Sequence, residues 1–233
     1  MTAKIRSERL RENYKFVCVF LSTAMIVALG LANGLYLAYL YNLNPIAFWV
    51  ADVTQFVVLP AIVLCLLYKA YGIIPKDYGL AGSNKIYPAW EMVGAGIFSA
   101  LLLLTIPSFF WYLGISIFGT GDHKFLFESV VPEGILHLPV VLYLSLTAGF
   151  VEEVFYRGLL WTAFLKIGPV KFRKSLYVIL GSFVFAALHW EQGVAGTISA
   201  FVFGVLAAIL YLQLRNLWPM IAAHTLVDIY YFW

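Results

Sequence analysis

Charged residues are scarce in this chain of 233 residues, in which Asp, Glu, Lys and Arg together make up only 12%. Soluble domains carry about 25% charged and about 45–50% apolar residues. Here the hydrophobic share is 63% and the mean hydropathy is +0.89. Because hydrocarbon is the solvent that such a composition suits, the chain is predicted to be an integral membrane protein.

Several other features are missing. No basic stripe with interleaved aromatic residues occurs outside the apolar runs, which excludes nucleic acid as a partner. The two cysteines, Cys18 and Cys65, both lie in apolar runs and are too few for a disulfide framework or a Cys-based metal cluster. Since internal repeats, low-complexity tracts and a hydrophilic domain are also lacking, we expect a single membrane domain over residues 1–233.

Seven apolar runs approach the roughly 20 residues that a membrane-spanning helix needs, although the fifth and the seventh are short. The pattern predicts an all-α, polytopic bundle of about seven transmembrane helices, with the lipid bilayer as its surroundings. The predicted helices are 14–41, 45–68, 88–118, 135–165, 175–190, 194–214 and 218–233.

Lys and Arg residues gather on one side of this predicted bundle. Thirteen of the fifteen fall on the side of the N-terminus, whereas Lys124 lies on the other side and Arg157 lies inside a helix. Basic residues in short loops favour the cytoplasm, so the N-terminus is predicted to be cytoplasmic. The first apolar run exceeds a signal-peptide core, which favours a retained helix. The small size and short loops are typical of a prokaryotic inner-membrane protein.

Six ionisable residues interrupt the late apolar runs, although each charge in hydrocarbon costs roughly 2.5–3.5 kcal/mol on insertion scales. Such residues are candidates for function unless packing explains them. They are Glu152, Glu153 and Arg157 in the fourth helix, His189 in the fifth, and His224 and Asp228 in the last.

Helical spacing separates these residues by role. Glu153 and Arg157 are four residues apart, so they share a helix face and can form an ion pair. Glu152 lies about 100° around the helix from Glu153 and is left available. His224 and Asp228 are also four residues apart and share a face.

A structural interpretation competes with a functional one. A single buried His or ion pair is more often a contact between helices, which contributes about 0.6 kcal/mol on average. Asp52, near the end of a predicted helix, fits this interpretation. Two Glu, one Arg, two His and one Asp on three helices fit it poorly, so we expect these residues to form a functional site.

Taken in order, the residues resemble the three motifs of the CAAX-processing/bacteriocin-processing family, which includes the type II CAAX prenyl endopeptidases. The resemblance covers about residues 142–228, so it places the catalytic helices in 135–233 and leaves 1–134 as accessory N-terminal helices. Where the prenyl endopeptidases usually have Asn, this chain has Asp228. The motifs are Glu-Glu-x-x-x-Arg at Glu152, Glu153 and Arg157, Phe-x-x-x-His at Phe185 and His189, and His-x-x-x-Asn or Asp at His224 and Asp228.

The resemblance implies an intramembrane endopeptidase that acts on a hydrophobic or lipid-anchored peptide. Glu152 would activate the attacking water as a general base, and His189 would hold and polarise that water. His224 and Asp228 would orient the water or stabilise the oxyanion. The remaining motif residues, Glu153, Arg157 and Phe185, would have a structural role beside the catalytic groups.

A metal mechanism uses nearly the same residues. Glu152, His189 and His224 would supply a site of two His and one carboxylate with an open position for water, as in catalytic zinc sites. A glutamate-activated water without an obligatory metal or other cofactor is favoured, but spacing does not decide between the two.

Other classes of protein fit less well. A serine protease is disfavoured because Ser182 and Ser199 lack a Gly-x-Ser-x-Gly setting. A non-catalytic membrane scaffold or a transporter is the alternative from a different class, although paired repeats typical of transporters are not visible. The substrate, whether a prenylated, leader or bacteriocin-like peptide, and the oligomeric state cannot be read from the residues.

Overall fold

The computed structural model describes residues 2–81, 88–119, 130–165 and 171–233, with only the backbone for residues 2–12, 33–34 and 37–38. The described part of the chain is helical throughout, with short connecting turns. Its α-helices are α1 (Thr2–Leu43), α2 (Pro45–Val53), α3 (Leu59–Tyr71), α4 (Ala89–Phe118), α5 (His137–Glu152), α6 (Leu160–Phe164), α7 (Arg173–Ala187), α8 (Gly193–Leu214) and α9 (Trp218–Phe232).

Two π-helical segments join pairs of these helices into longer stretches. Thr54–Val58 joins α2 to α3, and Glu153–Leu159 joins α5 to α6. The described residues therefore form seven continuous helical stretches, which confirms the predicted all-α bundle of about seven helices.

Five of these stretches are long and apolar enough to cross a membrane: 13–32 within α1, Pro45–Tyr71, Ala89–Phe118, Gly134–Phe164 and Trp190–Leu214. The other two, α7 and α9, have 15 residues each and correspond to the predicted short helices. The polytopic membrane fold is thereby confirmed. The cytoplasmic N-terminus stays a prediction, since Lys85, Lys124 and Lys166, on which it partly depends, lie outside the described residues.

The π-helical segment between α2 and α3 has a local cause in the sequence. Pro60 has no backbone N–H, and its ring crowds the carbonyl of the residue four positions earlier. The π-helical turn Thr54–Val58 contains Phe56, the residue four positions before Pro60, and accommodates the missing hydrogen bond and the bulk of the ring. As a result, Pro45–Tyr71 continues as one stretch, with Asp52 in its N-terminal part.

Small residues allow the motif-bearing helices to approach closely. A Cβ atom on Gly149 of α5 would lie 2.6 Å from Oγ1 and 3.1 Å from the backbone nitrogen of Thr225 on α9. A Cβ on Gly204 of α8 would lie 3.0 Å from Cα of Ser182 on α7. Gly149 is one turn before Glu153, and Thr225 follows His224, so the first contact brings the first and third motifs together.

Candidate active site

The first motif lies at the junction of α5 and the π-helical segment. Glu152 is the last residue of α5, and Glu153 is the first residue of the segment, all seven residues of which are buried. π-Helical turns are frequent at functional sites because they change the direction of successive side chains. Here Glu153 is fully buried, whereas the Glu152 side chain is 15% exposed and lines a cavity.

Glu153 connects the first motif to the third. Its Oε2 lies 3.5 Å from Nε of Arg157, so the predicted ion pair is present. Its Oε1 lies 2.8 Å from Nδ1 of His224, a contact that the sequence analysis did not foresee. A buried charge is stable only when it is paired and hydrogen-bonded. Glu153 is therefore the structural centre of the cluster.

Aromatic rings pack against Arg157 and His224, the two partners of Glu153. The guanidinium carbon of Arg157 lies 4.1 Å from the ring centroid of Phe185, a cation–π distance. Phe185 and Phe203 stack with their centroids 5.5 Å apart, and Phe203 lies 4.7 Å from the His224 ring. Phe185 of the second motif thus packs against both other motifs.

The contact with Glu153 determines how His224 is oriented. An ionised carboxylate only accepts hydrogen bonds, so Nδ1–H of His224 donates to Glu153. The opposite nitrogen, Nε2, then lies 3.8 Å from Oε2 of Glu152 and 3.7 Å from Oδ2 of Asp228. His224 consequently presents Nε2 to Glu152 and Asp228, two of the carboxylates that line the cavity.

His189 is oriented in a similar way at the end of α7. Its Nδ1 lies 2.8 Å from the carbonyl oxygen of Phe185, which can only accept, so Nδ1–H is the donor. In the neutral ring this leaves Nε2 with its lone pair. Both motif histidines therefore use Nδ1 for a hydrogen bond within the protein, which leaves Nε2 as the nitrogen for the predicted chemistry.

A cavity of about 390 Å³ lies beside these groups. The four predicted catalytic residues, Glu152, His189, His224 and Asp228, all line it, and neither Glu153 nor Arg157 does. The structure thus brings the four together, while their catalytic roles stay predictions. The arrangement offers what water activation requires: a carboxylate without a hydrogen bond at Oε2, beside imidazole groups.

Sequence reasoning missed Glu191, two residues after the second-motif histidine. Glu191 is 2% exposed, lines the cavity and lies within electrostatic range of His189 and Glu152. Its Oε2 has no hydrogen-bond partner in the described part of the chain. The signal available was an acidic residue next to an apolar run.

Asp52 lies in the N-terminal part of the stretch Pro45–Tyr71, as the predicted helix 45–68 placed it. Asp52 is 1% exposed, lines the cavity and accepts a hydrogen bond of 2.7 Å from the hydroxyl of Tyr143. It does contact another helix, as the structural interpretation proposed, but it also belongs to the cavity wall.

The serine residues near the site are engaged in structural contacts. Oγ of Ser199 donates to the carbonyl of Pro107 at 2.9 Å, and Oγ of Ser182 donates to the carbonyl of Val178 at 2.5 Å. No three His, Cys, Asp or Glu side chains in the described ranges are arranged as a metal site. The metal set Glu152, His189 and His224 accordingly stays a prediction.

Comparison with known proteins identifies one family. Residues 134–230 match the family described as Type II CAAX prenyl endopeptidase Rce1-like. No curated protein and no solved structure matches the chain. The matched segment contains all three motifs and, with them, the four predicted catalytic residues, so the resemblance seen in the motifs is confirmed.

Proposed function

We propose that this chain, which belongs through residues 134–230 to the family of CAAX-type intramembrane endopeptidases, hydrolyses a peptide bond with a water that Glu152 activates. The proposal is supported by the exposure of Glu152: its side chain is 15% exposed and lines the cavity, whereas the adjacent Glu153 is fully buried and does not line it. A general base must lie within reach of the water, and of these two residues Glu152 does.

The reaction follows from the positions of the cavity groups. A water between Glu152 and Nε2 of His189 gives its proton to Glu152 as its oxygen attacks the peptide carbonyl carbon. The oxyanion that forms accepts a hydrogen bond from Nε2–H of His224 when that ring carries both protons. The tetrahedral intermediate then collapses, and Glu152 passes its proton to the leaving amine. The products are a carboxylic acid and an amine.

Asp228 and Glu153 act on His224 from opposite sides. Glu153 holds Nδ1, and Asp228 lies 3.7 Å from Nε2. An imidazole that is already fixed does not have to reorient when the oxyanion forms. Asp228 and Glu153 therefore position Nε2–H of His224 before the substrate binds.

The N-terminal helices complete the cavity wall in this proposal. Ile26 of α1 and Phe56 between α2 and α3 line it, together with Leu103 of α4 and Phe203 of α8. An apolar wall of this kind suits a hydrophobic or lipid-anchored peptide. Prenylated, leader and bacteriocin-like peptides are the three substrate classes to test, and a prokaryotic inner membrane is the proposed location.

The proposal is tested by cleavage of quenched hydrophobic peptides, one of them prenylated, by the purified full chain. The wild type is compared with Glu152→Gln and with Glu91→Gln, a matched neutralisation at the start of α4, outside the cavity lining. We expect cleavage by the wild type and by Glu91→Gln, and none by Glu152→Gln.

A chelator added to the same assay separates the two mechanisms. Activity that survives chelation supports the glutamate mechanism. Activity that is lost and then restored by zinc supports a metal held by Glu152, His189 and His224. The Nδ1 hydrogen bonds of the two histidines are typical of metal-binding histidines. Equal cleavage by wild type and Glu152→Gln contradicts the proposal: either another group is the base, or the activity comes from a contaminant and a non-catalytic scaffold or transporter is favoured.

A further inference from the structure

A second acidic group lies in the cavity wall, away from the three motifs. Asp52 is 1% exposed, and its Oδ1 accepts a hydrogen bond from the Tyr143 hydroxyl at 2.7 Å. Its other oxygen, Oδ2, has no hydrogen-bond partner among the described residues. A buried carboxylate with an unused oxygen is costly, so a contact between helices does not account for it fully.

The charge of the cavity wall is one-sided. Four carboxylates line it, and none of the described lining residues is Lys or Arg. Arg157 is not available to the cavity, because it is 2% exposed and lies over Phe185. The basic residues of the lining are the motif histidines His189 and His224, and a basic group in a bound peptide finds complementary charge in the carboxylates. The four residues are Asp52, Glu152, Glu191 and Asp228.

The distance between Asp52 and the catalytic groups can be estimated along helix α5. Tyr143, which binds Asp52, and Glu152 are nine residues apart on α5, which corresponds to about 13 Å along its axis. An extended peptide rises about 3.3 Å per residue. A peptide lying along α5 with its scissile bond at Glu152 therefore places a residue about four positions away beside Asp52.

We propose that Asp52, positioned by Tyr143, binds a basic side chain of the substrate peptide about four residues from the cleaved bond. This inference rests on the proposed function, since it supplies the specificity of the same cavity. Oδ2 receives an N–H of the Lys or Arg side chain while Tyr143 continues to hold Oδ1. The alkyl part of that side chain packs against Phe56 and Leu144, which line the same wall.

The test measures binding of fluorescent hydrophobic peptides to the full chain in lipid nanodiscs. The peptides are identical except at one position, which carries Lys, norleucine or Glu. We expect the wild type to bind the Lys peptide about tenfold or more tightly than the norleucine peptide, as a charge-assisted hydrogen bond provides. In Asp52→Asn this ratio should fall to about one, and in Asp52→Lys the Glu peptide should become the preferred ligand.

Glu91→Gln is the matched control, since it removes one carboxylate outside the cavity lining and should keep the ratio of the wild type. Equal binding of the three peptides by the wild type, binding of none of them, or a ratio that survives Asp52→Asn would overturn the inference. Cleavage of the same peptides is recorded in parallel. A Lys preference without any cleavage contradicts the proposed function alone, and cleavage without a preference contradicts the Asp52 site alone.

Discussion

Two adjacent carboxylates, Glu152 and Glu153, face opposite regions of the molecule. Glu153 points into the packed side, where it pairs with Arg157 and accepts a hydrogen bond from His224. Glu152 points to the cavity, where Nε2 of His224 lies 3.8 Å from its Oε2. Glu153 is fully buried, whereas the Glu152 side chain is 15% exposed. Of the two carboxylates, the one in the cavity is within reach of a water or a substrate.

The two side chains lie about 100° apart around the helix, which directs them into different environments. This difference supports the proposed division of the motif Glu-Glu-x-x-x-Arg into one residue for reaction and two for support.

The largest effect is expected from Glu152→Gln. Loss of a general base typically lowers the rate by about 10²–10⁴-fold, and the variant should lose kcat by that order. The measurement is single-turnover cleavage of the best peptide of the panel. Glu91→Gln should retain the rate of the wild type. A comparable loss in Glu91→Gln would show that removing any carboxylate lowers the rate, and would contradict a specific role for Glu152.

On the packed side, Glu153→Leu should destabilise the fold. It leaves Arg157 buried without its carboxylate, which costs about 3–5 kcal/mol in the free energy of unfolding. Denaturant unfolding in detergent measures this loss.

The double variant Glu153→Leu with Arg157→Met sharpens that result. Replacing both charges with apolar groups should restore most of the stability. Activity should stay low, because Nδ1 of His224 still lacks its acceptor. Recovery of full activity would contradict the positioning of His224 by Glu153.

Contact between the two motif-bearing helices is tested by Gly149→Val. The new Cβ would meet Oγ1 and the backbone nitrogen of Thr225, so α5 and α9 must separate. Overpacking of this kind costs about 1–3 kcal/mol and should also lower cleavage. Gly94→Val is the control, because a Cβ there meets nothing within 4 Å. Equal effects of both variants would point to helix propensity instead.

The smallest effect is expected from Asp228→Asn. The amide keeps the shape of the side chain and can orient a water or donate to the oxyanion. The prenyl endopeptidases that the motifs resemble usually have Asn here, so we expect kcat/KM to stay within about tenfold of the wild type, which is about 1.4 kcal/mol. A loss as large as that of Glu152→Gln would make Asp228 the base.

The helices could be predicted well from the sequence because polar residues and prolines mark their ends. The predicted run 45–68 corresponds to Pro45–Tyr71, and 218–233 to Trp218–Phe232. The ion pair of Glu153 with Arg157 followed from spacing alone, because both residues lie on one helix.

Contacts between helices could not be predicted in the same way. The hydrogen bond from His224 to Glu153 and the cavity position of Asp52 depend on how separate helices pack against each other. Spacing within one helix carries no information on which faces of two helices meet. Glu191 was missed because it lies in the turn after α7, where helical periodicity gives no direction.

If Glu152 serves chemistry and Glu153 serves structure, the free energy of unfolding should separate them. The measurement compares Glu152→Gln with Glu153→Leu and the wild type in the same detergent. Oε2 of Glu152 makes no hydrogen bond among the described residues, so Glu152→Gln should be as stable as the wild type or more stable. A loss of about 3 kcal/mol or more, equal to that of Glu153→Leu, would contradict this division of roles.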